Sequence, residues 1–173
     1  MRLPRPLRSA LLLLPLVGCG GAPPPPAFSA ADSLAIDSLY SVFRQAYRDL
    51  DAARVTALYS TDAVYGEPGG GGFTVGQGPI ASSFGSFFDY VRADSGYLEL
   101  RFRFVERFRS PTLASDAGYF WLRTVGRDSA TTPGVGKFVT VMGRDTSGRW
   151  HFILDSYSQS SLAAFDSAPP FEP

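Results

Sequence analysis

The spacing of hydrophobic residues changes once along the chain, from a helical period to a strand period. Between residues 33 and 93, outside residues 63–75, apolar side chains recur every three or four positions, which is typical of helices that bury one face. The apolar positions form three groups: Ile36, Leu39, Tyr40, Phe43, Tyr47 and Leu50; Val55, Leu58 and Tyr59; and Ile80, Phe84, Phe87, Phe88 and Val91. Asp32 or Ser33, then Asp51, and then Gly78-Pro79 are suited to begin these segments. The pattern therefore predicts three helices.

From Tyr97 onward apolar and polar residues alternate, as they do in strands with one buried face. Residues 98–104 alternate leucine and phenylalanine with glutamate and arginine, and residues 117–127, 137–144 and 149–157 continue the pattern. A short hairpin of residues 63–67 and 73–75 surrounds four glycines between the second and third helices. The order of helices followed by strands predicts an α+β domain, with its helices packed on one face of the sheet.

The N-terminal residues predict export. Arg2, Arg5 and Arg8 precede an apolar run at 10–17, which at about 1.5 Å per residue is too short to span a bilayer. Residues 1–18 are therefore expected to be a signal peptide. Leu16-Val17-Gly18-Cys19 resembles the lipobox of bacterial lipoproteins, in which the cysteine is lipidated. The alternative is an ordinary signal peptide with an incidental Cys19.

If Cys19 is lipidated, the protein is anchored in the bacterial cell envelope, on the periplasmic or outer-membrane side. Residues 19–32, rich in glycine and proline, then form a tether. Residues 33–158 form the folded domain, and residues 159–173 are predicted to be a flexible tail. Cleavage would leave a net charge of −3, because three of the 16 basic residues precede it and all 16 acidic ones follow. Without a basic stripe, nucleic acid is not an expected partner.

Three stretches carry a family resemblance: residues 51–65, 76–80 and 148–158. With the order of elements, they resemble the nuclear transport factor 2-like superfamily, which includes ketosteroid isomerases and SnoaL-type cyclases. The resemblance covers about residues 33–158. It implies a cone-shaped α+β barrel in which three N-terminal helices pack on the concave face of a strongly curved, mixed or antiparallel sheet. It also implies a pocket for a small, partly apolar ligand.

Carrying the family pattern across the strands assigns one set of side chains to the cone interior. The expected ligand-binding residues are Tyr119, Trp121, Arg123, Val139, Val141, Ile153, Tyr157, Phe43 and Tyr47. The outward set would then be Phe120, Leu122, Phe138, Met142, Trp150, Phe152 and Leu154. Because such an apolar face is seldom left in water, it predicts a homodimer through the outer sheet face. The alternative is that the two faces are reversed and these side chains form the core.

Three residues are candidates for acid–base chemistry. Glu67, before Pro68, lies where ketosteroid isomerases carry their general base, although a glutamate there is also common in a turn. Phe43 and Val139 occupy the positions of the family's oxyanion donors, which argues against steroid isomerisation. His151 and Asp155 share a strand face and could act together. An ion pair with Arg123 or Arg149 would explain an inward Asp155 equally well.

His151 is the only histidine, so a multi-histidine metal site is excluded and no cofactor is expected. Three functions remain open. In the first, the chain is a lipid-anchored domain that binds a small, partly apolar molecule with a carboxylate or carbonyl near Arg123. In the second, it is a cofactor-free isomerase, cyclase or dehydratase with Glu67 or Asp155 as base. In the third, it is a structural module for dimerisation or envelope assembly. Pocket volume and the pairing of the two carboxylates distinguish them.

Overall fold

The computed structural model describes residues 27–69, 71–126 and 131–171. The predicted signal peptide, Cys19 and most of the predicted tether lie outside these residues. The described elements are α1 (Ala30–Asp49), α2 (Ala52–Thr56), β1 (Tyr59–Gly66), β2 (Thr74–Val75), α3 (Gln77–Ala93), β3 (Tyr97–Arg109), β4 (Leu113–Val125), β5 (Gly134–Arg144), β6 (Trp150–Gln159) and α4 (Leu162–Ser167). None of the helices in the described ranges has the length and apolarity needed to cross a membrane.

The six strands form one mixed sheet in the order β2-β1-β6-β5-β4-β3. β1 and β6 are parallel, and every other neighbouring pair is antiparallel. Register shifts interrupt three ladders, at Tyr59/Val64, Phe104/Glu106 and Val141/Met142. Such bulges bend strands and increase their twist, so the sheet curves around α1 and α3. The predicted α+β class, with helices on the concave face of a curved sheet, is confirmed.

Local capping sets where the helices begin. Ser29 caps α1: its hydroxyl accepts from the Asp32 amide, and the Asp32 carboxylate accepts from the Ser29 amide. The prediction that Asp32 or Ser33 is the cap was therefore wrong by one turn, since Asp32 completes the capping box. Asp51 caps α2 as predicted, by accepting from the Arg54 amide. Gly76, with a φ of 90°, leads into α3.

Aromatic side chains dominate the core. The ring of Tyr40, 1% exposed, lies edge-on to Phe102, Phe104 and Phe152 at centroid distances of 5.3, 4.8 and 5.5 Å. Edge-to-face pairs of this kind each contribute about 0.5–1.5 kcal/mol beyond the burial of their area. They fix α1 against both β3 and β6.

The facing predicted for β4 and β5 was wrong. Phe120, Leu122 and Phe138 face the helices, whereas Tyr119, Trp121, Arg123, Val139 and Val141 lie on the opposite, outer face. Side chains alternate along a strand, so choosing the wrong phase by one residue inverts every assignment. The reversed-face alternative is correct for these two strands.

In β6 the facing changes within the strand. Met142 pairs with Phe152 and Val141 with Leu154, so Ile153 is an extra residue in the ladder. Phe152 faces inward before the bulge, and Asp155 faces inward after it, opposite Thr140. The prediction that His151 and Ile153 face inward assumed unbroken alternation and was wrong.

The apolar set that motivated the homodimer prediction is therefore mostly internal. Phe138, Met142, Trp150 and Phe152 are at most 5% exposed within the single chain. They require no second subunit to cover them, and the homodimer stays a prediction without that support.

The C-terminal segment is folded against the domain, although a flexible tail was predicted. Phe165 of α4 is 5% exposed. The Arg103 guanidinium lies over its ring, with the guanidinium carbon 4.6 Å from the ring centroid. Arg103 also donates to the Ala168 carbonyl at 2.7 Å. Pro170 then bridges to the edge of β3 at Arg103, and Phe171 packs edge-on against Phe104. The segment thus passes around the edge of the sheet.

Candidate functional site

A cavity of about 300 Å³ lies between α1, α3 and the concave face of the sheet. This volume is at the lower end of the roughly 300–1,000 Å³ typical of small-molecule sites. The lining residues are Tyr40, Phe43, Tyr47, Tyr65, Glu67, Ser83, Phe84, Phe87, Leu100, Phe102, Phe120, Leu122, Phe138, Thr140, Phe152, Asp155 and Tyr157. Most of them are aromatic, so the cavity suits a small, largely apolar molecule.

Two glycines give the sheet side of the cavity its shape. A Cβ atom on Gly136 would lie 2.3 Å from the Phe120 ring, and one on Gly118 would lie 2.2 Å from the Arg103 carbonyl oxygen and 3.0 Å from the Phe138 ring. Real side chains do not tolerate such separations. The glycines therefore let two aromatic rings of the cavity wall lie close to the backbone of the neighbouring strands.

Asp155 is the carboxylate on the cavity wall. Its side chain keeps some accessible surface because it faces the hollow, yet protein atoms surround it on the remaining sides. The Tyr59 hydroxyl donates to its Oδ2 at 2.6 Å. Burial raises the pKa of Asp155 from 3.8 to about 6, and the hydrogen bond from Tyr59 opposes part of that rise. Among the described residues, no lysine, arginine or histidine forms an ion pair with it.

Hydroxyl groups supply most of the remaining polarity. Tyr40 Oη and Thr140 Oγ1 are 2.6 Å apart and share a hydrogen bond inside the core. Burial raises the pKa of Tyr40 and Tyr47, which line the cavity, and of Tyr59, the partner of Asp155, well above the usual value, so all three are neutral at physiological pH. The cavity can therefore offer hydrogen bonds to a ligand without offering a positive charge.

Glu67 also reaches the cavity, but from an exposed position after the end of β1. Ser83 of α3 donates to its Oε1 at 3.2 Å. Glu67 is therefore a group of the rim, in contact with solvent, whereas Asp155 belongs to the interior.

The structure brings together only part of the predicted site. Glu67, Asp155, Tyr157, Phe43 and Tyr47 line the cavity. Tyr119, Trp121, Arg123, Val139, Val141, Ile153 and His151 do not.

Arg123 pairs with Glu99 at 2.6 Å on the outer face. His151 Nε2 lies 3.1 Å from Asp145 Oδ2, in contact with the turn before β6. Arg149 pairs with Asp145 as well, at 3.4 Å. None of these three residues pairs with Asp155, so an internal ion pair does not account for its inward position.

Most of the aromatic wall was not among the predicted site residues. Phe102, Phe120 and Phe138 lie side by side on β3, β4 and β5, since Phe102 pairs with Phe120 and Phe138 pairs with Gly118. The signal was the apolar set on one face of each strand, and on β4 and β5 the prediction placed that set on the outer surface. Tyr59, the hydrogen-bond partner of Asp155, had been assigned to a helix.

No family model matches the sequence, and no curated protein matches it. Solved structures do. A protein from Catenulispora acidiphila superposes with a TM-score of 0.66 at 15% identity, covering 75% of this chain and 92% of its own. A ketosteroid isomerase-like protein from Erwinia carotovora atroseptica superposes with a TM-score of 0.63 at 18% identity, covering 77% of this chain and 99% of its own.

The third structure is a nuclear transport factor 2-like protein with a cystatin-like fold from Novosphingobium aromaticivorans. It superposes with a TM-score of 0.62 at 16% identity, covering 78% of this chain and 86% of its own. At these identities the likeness concerns the fold and leaves the chemistry to be argued from the site. The superpositions cover about three quarters of this chain, and the chain has the nuclear transport factor 2-like fold.

Proposed function

We propose that the cavity binds a small, largely apolar molecule and that Asp155 anchors a polar group of that molecule. The observation that carries the proposal is a carboxylate with one hydrogen-bond donor, Tyr59, in a mainly aromatic wall. Keeping such a group inside a fold costs free energy unless it is paired, so a purely structural module has no use for it. A ligand that hydrogen-bonds Asp155 accounts for both the hollow and the carboxylate.

Native mass spectrometry of the full-length chain tests this proposal. We expect a co-purified or added small apolar molecule to be retained at one per chain. Leu122→Trp, which places a bulky indole in the cavity wall, should abolish retention. Val139→Trp on the outer face is the matched control and should retain it. Equal retention by both variants would contradict the proposal.

A second candidate function is proton transfer by Asp155 to or from the bound molecule. The observation that favours it is the raised pKa of about 6, which makes a carboxylate a better base near neutral pH. The test is deuterium exchange next to the carbonyl of α-tetralone in D2O. Catalysed exchange that Asp155→Asn abolishes would support it, and exchange no faster than in buffer would count against it.

We also propose that this binding domain works at the membrane surface, held by the lipidated Cys19. What supports this is the sequence that precedes the fold, in which the cysteine follows an apolar run and precedes prolines. Two acyl chains on one cysteine suffice for stable anchoring.

A further inference from the structure

The charges on the cavity wall have one sign. Asp155 in the interior and Glu67 at the rim are its ionisable acids, and among the described residues no lysine, arginine or histidine lines the cavity. An anionic ligand would have to approach two carboxylates with no compensating cation. A neutral or positively charged ligand meets no such penalty.

Other carboxylates inside this fold are paired with arginine. Asp116, 0% exposed, accepts from Arg107 at 3.1 Å and lies 2.7 Å from Arg109. Asp32, 5% exposed, lies 3.3 Å from Arg144. Asp155 departs from this pattern, because its described partner is the neutral Tyr59 hydroxyl.

The side chains around Asp155 suit a cation. Thr140 lies opposite it across the β5–β6 ladder, while Phe152 and Tyr157 flank it on its own strand. Aromatic rings attract positive charge through their π electrons, and the attraction grows in a site shielded from water. The same rings also provide apolar surface for the remainder of a ligand.

We infer that the cavity selects a small hydrophobic amine in its protonated form, with the ammonium group beside Asp155 and the apolar part among the aromatic rings. This inference rests on the proposed binding function and names its ligand class. The ammonium supplies to Asp155 the charge that arginines supply to Asp116 and Asp32. It replaces the expectation of a carboxylate or carbonyl ligand near Arg123, which lies on the outer face in an ion pair with Glu99.

Three probes of nearly the same shape test the inference: naphthylmethylamine, naphthylmethanol and naphthylacetate. Their binding to the full-length chain is measured by titration calorimetry at about pH 8, where a carboxyl group with a pKa near 6 is ionised. We expect the amine to bind about tenfold or more tightly than the alcohol, as a charge-assisted hydrogen bond should provide, and the carboxylate to bind more weakly than the alcohol.

Two variants locate the effect. Asp155→Asn should reduce the preference for the amine to less than about threefold while the alcohol still binds. Asp62→Asn removes an exposed carboxylate of β1 and should leave the preference unchanged. Thermal unfolding of each variant verifies that it is folded.

The outcomes separate the two proposals. An alcohol that binds as tightly as the amine, or a preference for the amine that survives in Asp155→Asn, overturns the amine inference and leaves the binding function standing. Binding of none of the three probes overturns the binding function and the inference with it.

Discussion

The Tyr59 hydroxyl donates a 2.6 Å hydrogen bond to Asp155 Oδ2 across two parallel strands, β1 and β6. Both ladders that involve these residues contain register shifts, between Tyr59 and Val64 on β1 and beside Ile153 on β6. The bulge in β6 turns Asp155 toward the cavity on a strand whose first half directs Phe152 inward. The polar group of the candidate site thus depends on an irregularity in the sheet.

Asp155→Asn should stabilise the protein at neutral and alkaline pH. Burial raises the folded-state pKa of Asp155 to about 6 from 3.8, so the folded state holds this proton more tightly than the unfolded state. Ionisation therefore lowers the free energy of unfolding as pH rises from about 4 to about 6, by on the order of 2–3 kcal/mol. The variant removes that cost, and its hydrogen bond from Tyr59 can remain.

Urea unfolding at about pH 8 and about pH 3 measures the stabilisation by Asp155→Asn. It should be present at about pH 8 and small at about pH 3. Asp32→Asn is the control, and it should change the free energy of unfolding in the opposite direction. Hydrogen bonds from Trp150 and Ser29 lower the pKa of Asp32 to about 2, so its stabilisation is present above about pH 4 and is lost as pH falls through about 2. A loss of stability in Asp155→Asn at the alkaline pH would contradict the description of the cavity.

Asp116→Ala should be strongly destabilising. Asp116 is fully buried between Arg107 and Arg109, and Arg107 also contacts Asp37 of α1. Removing one member of a buried ion pair leaves uncompensated charge and typically costs about 3–5 kcal/mol. Asp166→Ala, which breaks an exposed pair with Arg103 at 3.8 Å, should cost less than about 1 kcal/mol. Chemical denaturation measures the free energy of unfolding of both variants. An equally small loss in Asp116→Ala would show that the network does not hold β3, β4 and α1 together.

Gly136→Ala should disturb the cavity wall. The added Cβ would lie 2.3 Å from the Phe120 ring, so that ring must move or the strands must shift. Forcing a methyl group into a packed interior typically costs about 1–3 kcal/mol. Gly71→Ala, whose Cβ would meet nothing within 4 Å, is the control. Thermal unfolding and naphthylmethanol binding should both change in Gly136→Ala, and an unaltered affinity would mean that Phe120 does not shape the binding space.

Cys19→Ser should abolish lipid attachment. When cells expressing the full-length chain are fed an alkyne-labelled fatty acid, the original sequence should become labelled and the variant should not. The membrane fraction should lose the variant, because one apolar run of eight residues cannot hold it there. Equal labelling of both chains would mean that Cys19 is not the acylated residue.

The element order could be predicted because a period of 3.6 gives way once to a period of 2. Ile36, Tyr40 and Phe43 mark the buried face of α1, and Leu98, Leu100 and Phe104 mark that of β3, all at most 8% exposed. Element boundaries were less accurate. Tyr59 follows the apolar spacing of α2, yet it begins β1, where it pairs with Phe152.

The candidate site could be predicted only in part. Periodicity shows that side chains alternate between the two faces of a strand, but it does not show which face lies inside. Carrying the family pattern across unbroken strands assigned Trp121 and Arg123 to the cavity. On β6 the extra residue at Ile153 breaks the alternation, and on β4 and β5 the phenylalanines are the side chains that line the cavity. Tertiary packing decided both points, and no local pattern in the sequence reports the bulge.

A crystal structure of the protein soaked with naphthylmethanol is the most direct test of the claim that the cavity is a binding site. We expect the naphthyl rings to lie between Phe120 and Phe84, with the hydroxyl within hydrogen-bond distance of Asp155. An empty cavity at saturating probe, or a molecule bound only at Trp121 on the outer face, would contradict it.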